Sequence, residues 1–190
     1  MELKKGILVF KIIFITLFYM TERTLEELCN ILPRSKRNTK YGNKDGRYPV
    51  FKGSVIVDSF VDTPDYEGES LIIGDSGSPN VQYAYEFSVS DNCYILQNKN
   101  KSVVNLKYIY YYLENNLNSM NHLYIGQGEG IKHISKSSVK GITIPIHSLE
   151  KQNEIVEYCE CNENNIRQLE KEIEENKARI GQYIKGYQII

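Results

Sequence analysis

The stretch SLEKQNEIVEYCECNENNIRQLEKEIEENKARIGQYIKGY, Ser148 to Tyr187, divides the chain in two. Within it Ile155, Cys159, Asn162, Ile166, Leu169, Ile173, Asn176, Ile180, Tyr183 and Tyr187 recur at alternating steps of four and three. That spacing is a heptad seam, the pattern of a helix that pairs with another helix. Ser148 stands where an N-cap belongs. A stripe this narrow does not bury against a small domain of its own chain, so it needs a partner helix. Asn162 and Asn176 interrupt the apolar seam, where an amide fixes register and strand number at some loss of stability. A long amphipathic helix lying on the chain's own domain is the alternative.

Upstream of Ser148 no long period persists. Thr24 to Leu32 opens with a cap and acidic residues and reads as a short helix ended by Pro33. Val55–Val57, Ser70–Ile73 and Cys93–Leu96 read as short strands bounded by Gly, Pro, Asp or Asn. Asn105 to Leu117 carries Leu106, Ile109, Tyr110 and Leu113 as a helical stripe. Ile142 to Pro145 reads as a strand stopped by its own proline. Strand–helix–strand alternation is absent. The fold class expected is therefore α+β: a compact domain of short strands and a helix over residues 21–147, then a coiled-coil helix over 148–190.

Residues 1–20 stand apart. Lys4 and Lys5 precede an apolar run from Gly6 to Met20, interrupted by Lys11. Its length, about 15 residues, falls short of the roughly 20 that span a bilayer. No small-residue cleavage site follows. The preferred reading is an upstream extension with Met20 as the functional start. An uncleaved signal or anchor and a core element are the alternatives.

The 190 residues carry 23 Lys+Arg against 24 Asp+Glu, a net charge of −1, which excludes a chain basic throughout. The charge is distributed in blocks. Arg34, Lys36, Arg37, Lys40, Lys44, Arg47 and Lys52 face only Asp45, whereas Gly53 to Asp91 holds eight acids and no Lys or Arg. A basic segment of this kind is either a solvated loop or a phosphate-binding one, in which clustered cations displace counterions condensed on a duplex. Cys29, Cys93, Cys159 and Cys161 form no CxxC and no zinc-ligand spacing, and read as reduced thiols of a cytoplasmic protein. The glycine-rich GDSGSPN (Gly74–Asn80) and GQGEG (Gly126–Gly130) lack the strand–helix context of a nucleotide site. Ser76 has no placed His and Asp to make it a nucleophile. No catalytic set and no metal site is expected.

The order of blocks is more informative than any single motif. A basic loop leads into RYPVFKGS (Arg47–Ser54). LIIGDSGSPNVQYAYEFSVSDNCYIL (Leu71–Leu96), LKYIYYYL (Leu106–Leu113), IGQGEGIKHISKSSVKGITIPI (Ile125–Ile146) and SLEKQNEIV (Ser148–Val156) follow. This sequence resembles the target-recognition domain and adjoining helix of type I restriction–modification specificity subunits, from about Thr24 to Ile190. His147 and Ser148 replace prolines common in that family, and Ser54 replaces a common glycine. Full-length subunits of the family carry two recognition domains and two helices, so this chain resembles a half subunit.

The resemblance implies a protein without chemistry or cofactor of its own. It implies a reader of double-stranded DNA, paired with a copy of itself or a second half. A methyltransferase subunit that binds S-adenosylmethionine, and in some systems a restriction/translocase subunit, would be further partners. No membrane is expected. Under this reading Arg34, Lys36, Arg37, Lys40, Lys44 and Arg47 are phosphate-contact candidates. Ser76, Ser78, Asn80 and Gln82 are base-reading candidates, and Lys132, His133 and Lys136 form a second candidate loop. Tyr108, Tyr110, Tyr111 and Tyr112 read as helix-face packing. The coiled-coil helix becomes a spacer of about 57 Å, on the order of 16 base pairs. The competing reading is a coiled-coil interaction module without DNA, membrane-associated through its N-terminus.

Overall fold

Thr24 shows how local chemistry starts the fold. Its hydroxyl accepts from the Glu27 backbone N–H at 3.3 Å, and the Glu27 carboxylate takes the Thr24 N–H at 2.7 Å. This capping box fixes one helical turn, α1 (Leu25–Leu28), with Leu25 and Leu28 buried. The helix expected to run on to Leu32 stops there. Cys29 is extended, and Cys29–Ile31 forms strand β2. The reason is an alternating pattern, Cys29 buried and Asn30 exposed, that suits a strand pairing on a sheet edge.

The computed structural model describes residues 21–126 and 130–187, so the readings offered for the apolar N-terminus lie outside it. Before α1 runs β1 (Thr21–Thr24). After β2 come β3 (Tyr48–Phe51), β4 (Phe60–Val61), β5 (Tyr66–Gly74), β6 (Val81–Val89) and β7 (Cys93–Asn98). Helix α2 (Leu106–Asn115) and a 3-10 segment (Leu117–Leu123) follow. Then come β8 (Tyr124–Ile125), β9 (His133–Ile134), α3 (Lys136–Gly141), β10 (Thr143–Ile146) and α4 (Leu149–Tyr187). The main sheet has the order β2-β7-β5-β6-β3-β4, and β1-β10 and β8-β9 form separate ribbons. Among the described strands only the β3–β6 pairing is parallel.

Register forces the sheet to curl. Phe87 of β6 pairs with Tyr66, at the start of β5, while Cys93 of β7 pairs with Gly74, at its end. On a flat sheet these levels lie about 26 Å apart. The link from Val89 to Cys93 reaches only about 14 Å. The strands therefore coil, helped by a bulge between Glu67 and Ser70 where Gly68 takes φ +93°. One face of β5 and β7 packs inside the curl, with Phe51, Ile72, Phe87, Val89, Cys93 and Ile95. The other face, with Leu71, Ile73, Tyr94 and Leu96, takes α1, α2 and α3.

Two expected strands differ. Val55–Val57 is a loop. Ser54 Oγ bonds both the N–H and the C=O of Ile56, a local turn that competes with a ladder, and the two neighbours of β3 are already β6 and β4. Pro145 does not stop β10. It pairs with Glu22 in a two-stranded ribbon, where a missing N–H is tolerated at an edge.

Asn105 caps α2 by accepting from the Lys107 N–H at 2.9 Å. The tyrosines pack as helix-face residues: Tyr108 and Tyr111 are buried, Tyr110 and Tyr112 half-buried. Ser148 Oγ accepts from the Lys151 N–H at 3.3 Å and opens α4, 39 residues long. The first turns of α4 lie on α2 through buried Gln152 and Val156, half-buried Ile155 and Cys159, and a Lys107–Glu160 ion pair. Beyond them the stripe is open: Ile166, Ile173 and Ile180 are 54%, 52% and 60% exposed.

Candidate nucleic-acid interface

The hairpin loop between β5 and β6 is built by three residues that leave it little freedom. A Cβ on Gly74 would stand 2.5 Å from Asn80 Nδ2 and 2.7 Å from the Gly53 oxygen, so only glycine fits. Gly77 turns the loop tip at φ +81°. Asn80 is 4% exposed, and its amide donates to the oxygens of Gly53 at 2.7 Å and Ser78 at 3.1 Å. The loop is thereby tied to the turn that follows β3.

The same loop is tied to the second candidate segment, more than fifty residues on. The Gly77 N–H bonds the Lys132 oxygen at 2.9 Å, and the Ile134 N–H bonds the Asp75 oxygen at 2.9 Å. Ser76 and His133 form a β-bridge, and the Tyr124 hydroxyl donates to the Gly74 oxygen at 2.6 Å. Ser76, Ser78, Lys132 and His133 thus belong to one surface, with Ser78, Lys132 and His133 exposed. Lys136 sits in the first turn of α3, behind the Ser135 cap.

Asp75 lies beneath this junction. Its Oδ2 takes Arg34 Nη1 at 2.6 Å, and its backbone N–H bonds the Asn92 oxygen at 2.8 Å. Its Oδ1 is buried without a hydrogen bond, 3.8 Å from His133 Nδ1. The Arg34 guanidinium lies 4.0 Å over the Tyr94 ring and also bonds the Asp91 oxygen. Burial opposes the Arg34 charge, and the bonds to Asp75 and Tyr94 outweigh it, raising the pKa.

The basic segment is therefore not uniform. Arg34 is exposed but committed to Asp75, the Asp91 oxygen and the Tyr94 ring. Arg37 is committed too: it grips Asp65 through two bonds of 2.9 and 3.2 Å and stacks on Tyr41 at 4.3 Å. The Arg37 bond holds the Asp65 carboxyl below its ordinary range. Arg47 is exposed beside Tyr48. Lys36, Lys40 and Lys44 are exposed and make no ion pair among the described residues. Both donor positions of the Asn80 amide are used by its two bonds within the fold. Gln82 is half-buried and points Nε2 at the Val55 oxygen, 3.4 Å away.

A further cationic cluster is assembled from residues far apart in the chain. Lys99, Lys136 and Lys140 gather around Glu26, which Lys140 bonds at 2.6 Å. Gln152, noted only within a sequence block, is 0% exposed and joins α4 to the domain. Along the seam, Ile155 and Cys159 are taken up by α2, whereas Asn162, Ile166, Leu169, Ile173, Asn176, Ile180 and Tyr183 are exposed. The Tyr187 side chain lies outside the description. Among the described residues no His, Cys, Asp and Glu group could hold a metal ion, and no helix is long and apolar enough to cross a membrane.

The family model for the type I restriction modification DNA specificity domain matches residues 19–176. The chain belongs to this family. A curated type I restriction enzyme specificity subunit of Haemophilus influenzae is 26% identical over 146 residues, covering 73% of this chain and 36% of the relative. Three solved structures share the fold. The S subunit of a type I restriction-modification system from M. genitalium superposes with a TM-score of 0.71 at 22% identity, over 83% of this chain and 42% of that one. A chain from a type I R-M system, solved for its complex assembly and conformational transition, gives 0.59 at 18% identity, over 85% and 43%. The HsdS subunit of Thermoanaerobacter tengcongensis gives 0.53 at 18% identity, over 80% and 39%. The chain thus spans less than half the length of these relatives. As in other specificity subunits, a mixed α+β domain is followed by a long C-terminal helix.

Proposed function

We propose that this chain is a non-catalytic DNA-specificity subunit that reads one half of a split duplex site. In this reading α4 pairs with the α4 of a second such unit, in a second chain or elsewhere in a longer one. The assembled pair docks a methyltransferase subunit, which supplies the S-adenosylmethionine site, and in some systems a restriction/translocase subunit. The observation that carries the proposal is the junction of the Asp75–Asn80 loop with Lys132–His133. It gives a family member a rigid polar surface with exposed hydroxyl and cationic groups. Base edges specify and phosphates position, so the two tasks fall to different residues. Ser76, Ser78 and Gln82 remain the base-reading candidates. Lys36, Lys40, Lys44, Arg47, Lys132 and Lys136 are the cations free to meet phosphates. No cofactor is assigned to this chain, and the cytoplasm is the compartment its substrate requires.

The test is salt dependence. A cognate duplex is first selected from a random pool with the methyltransferase present. Changing Lys36, Lys40 and Lys44 to Gln should weaken binding to every sequence alike. The log–log salt slope should shrink by about 0.9 per true contact, or about 2.7 for the three. An unchanged slope, or a pool with no enriched sequence, returns the chain to the competing reading, a helix-pairing module without DNA.

A further inference from the structure

Outside the α4 stripe, large apolar side chains are exposed at only a few described positions, and two of them are adjacent. Val55 is 67% and Ile56 77% exposed. They sit on the loop between β3 and β4, which is well fixed. Lys52 and Asp58 pair across its base at 3.6 Å. Ser54 Oγ accepts from the Ile56 N–H at 3.0 Å and donates to the Ile56 oxygen at 3.1 Å. Gln82 Nε2 holds the Val55 oxygen at 3.4 Å. Val57, the next residue, turns inward against the core inside the curl. The loop therefore has an inner anchor and two outer aliphatic side chains.

Its position matters as much as its shape. Two residues before Val55, the Gly53 oxygen receives the Asn80 amide at 2.7 Å. The tip is thus bolted to the Asp75–Asn80 loop that carries Ser76 and Ser78. A β-branched side chain has few rotamers to lose on contact, so it suits a preformed probe. Of the base pairs seen from the major groove, only those with thymine present a methyl group.

We propose that Val55 and Ile56 are specificity-determining residues that read thymine, packing their methyl groups on its 5-methyl in the major groove. This rests on the DNA-reading function proposed above. It assigns the apolar part of recognition to a different loop from the polar part. A protein partner is the rival occupant. The observations favour DNA because the pair is small, rigid and fixed beside exposed hydroxyl and cationic groups.

Uracil replacement isolates the methyl. In the selected cognate duplex each thymine is replaced in turn by deoxyuridine, which keeps every hydrogen bond. The wild-type chain, with its methyltransferase present, should lose about fourfold in affinity at one or two thymines, the factor set by one buried methyl-sized group. Val55→Ala with Ile56→Ala should bind the thymine duplex more weakly by a similar factor and become indifferent to uracil there. Ile56→Val should retain the sensitivity. Both substitutions are at exposed positions, and an unchanged melting temperature checks that the fold survives. An enriched duplex without thymine, or one bound equally well with uracil throughout, overturns this inference alone. So does uracil sensitivity that persists in the double variant, or a double variant that loses the methyltransferase while its DNA preference is unchanged. Absence of any enriched duplex overturns the DNA-reading function and this inference together.

Discussion

Gln152 is the residue on which the placement of α4 depends most. It is fully buried, and its side chain makes three bonds: it accepts from the Asn105 N–H at 2.8 Å and donates to His147 O at 2.9 Å and Val103 O at 3.1 Å. The Asn105 N–H lies at the cap of α2, so one amide links the start of α4, the cap of α2 and the strand exit from β10. Gln152→Met keeps the length and removes all three bonds. Each is worth about 0.5–1.5 kcal/mol net, and the backbone groups left behind are buried, so the loss should be about 3 kcal/mol. For a chain of this size that is about 6–12 °C in Tm. Thermal melts followed by circular dichroism, near-UV as well as far-UV, read it directly. Gln168→Ala is the control. Its bond to Glu172 is on the exposed part of the same helix, and it should move Tm by under about 1 °C. If Gln152→Met melts within about 2 °C of the wild type, the latch does not hold the helix and the argument fails.

Three further outcomes are expected. Asn80→Ala should cost about 2 kcal/mol of stability for two lost bonds, lowering Tm by about 4–8 °C, and weaken all DNA sequences together without shifting preference, as pool selection would reveal. Of the four cysteines, exposed Cys161 should react first with a thiol reagent at pH 8 and Cys159 more slowly; burial pushes Cys29 and Cys93 up to about 12, so labelling of either in the folded chain would contradict the fold. Ile166→Asp with Ile173→Asp should abolish self-association measured by light scattering at tens of micromolar, and a wild-type chain that is already a clean monomer there removes the case for helix pairing between copies.

What the sequence made legible was what local periodicity encodes. The heptad from Ile155 to Tyr183 placed α4, the stripe from Leu106 to Leu113 placed α2, and the family's block order placed the domain. What stayed hidden depends on distant pairing. Cys29–Ile31 is a strand because the edge of β7 is there to receive it, which no window around Cys29 reveals. Val55–Val57 has the composition of a strand but no free neighbour. The site divides the same way. Clustered cations were visible, but that Arg34 would be consumed by Asp75 and Arg37 by Asp65 follows only from the folded chain. The glycine and asparagine of GDSGSPN were visible as turn formers. That the Asn80 amide would donate to the Gly53 oxygen needed the approach of a loop 27 residues away.

In the proposed function α4 is a spacer, and its reach counts from where it leaves the domain. Leu149 to Arg167 runs beside the domain, with Glu163, Asn164 and Arg167 lining a cavity with Tyr83, Tyr110 and Tyr111, so the described free run is Gln168 to Tyr187. At 1.5 Å per residue this is about 30 Å, or about 9 base pairs, shorter than the whole helix suggests. A spacer sets distance only if its base is rigid. Here the coupling is continuous. Asp75–Asn80 is the hairpin of β5 and β6; Leu71 and Ile73 of β5 share a core with Leu106 and Ile109 of α2. The cap of α2 is bonded to Gln152 of α4, and the Lys107–Glu160 pair adds a second tie two turns further on. Each link is a packed or hydrogen-bonded contact without an intervening loop. In the proposed function, the reading surface and the helix therefore move as one body. The separation of two half-sites is then fixed by where the open stripes of two helices meet, not by a hinge.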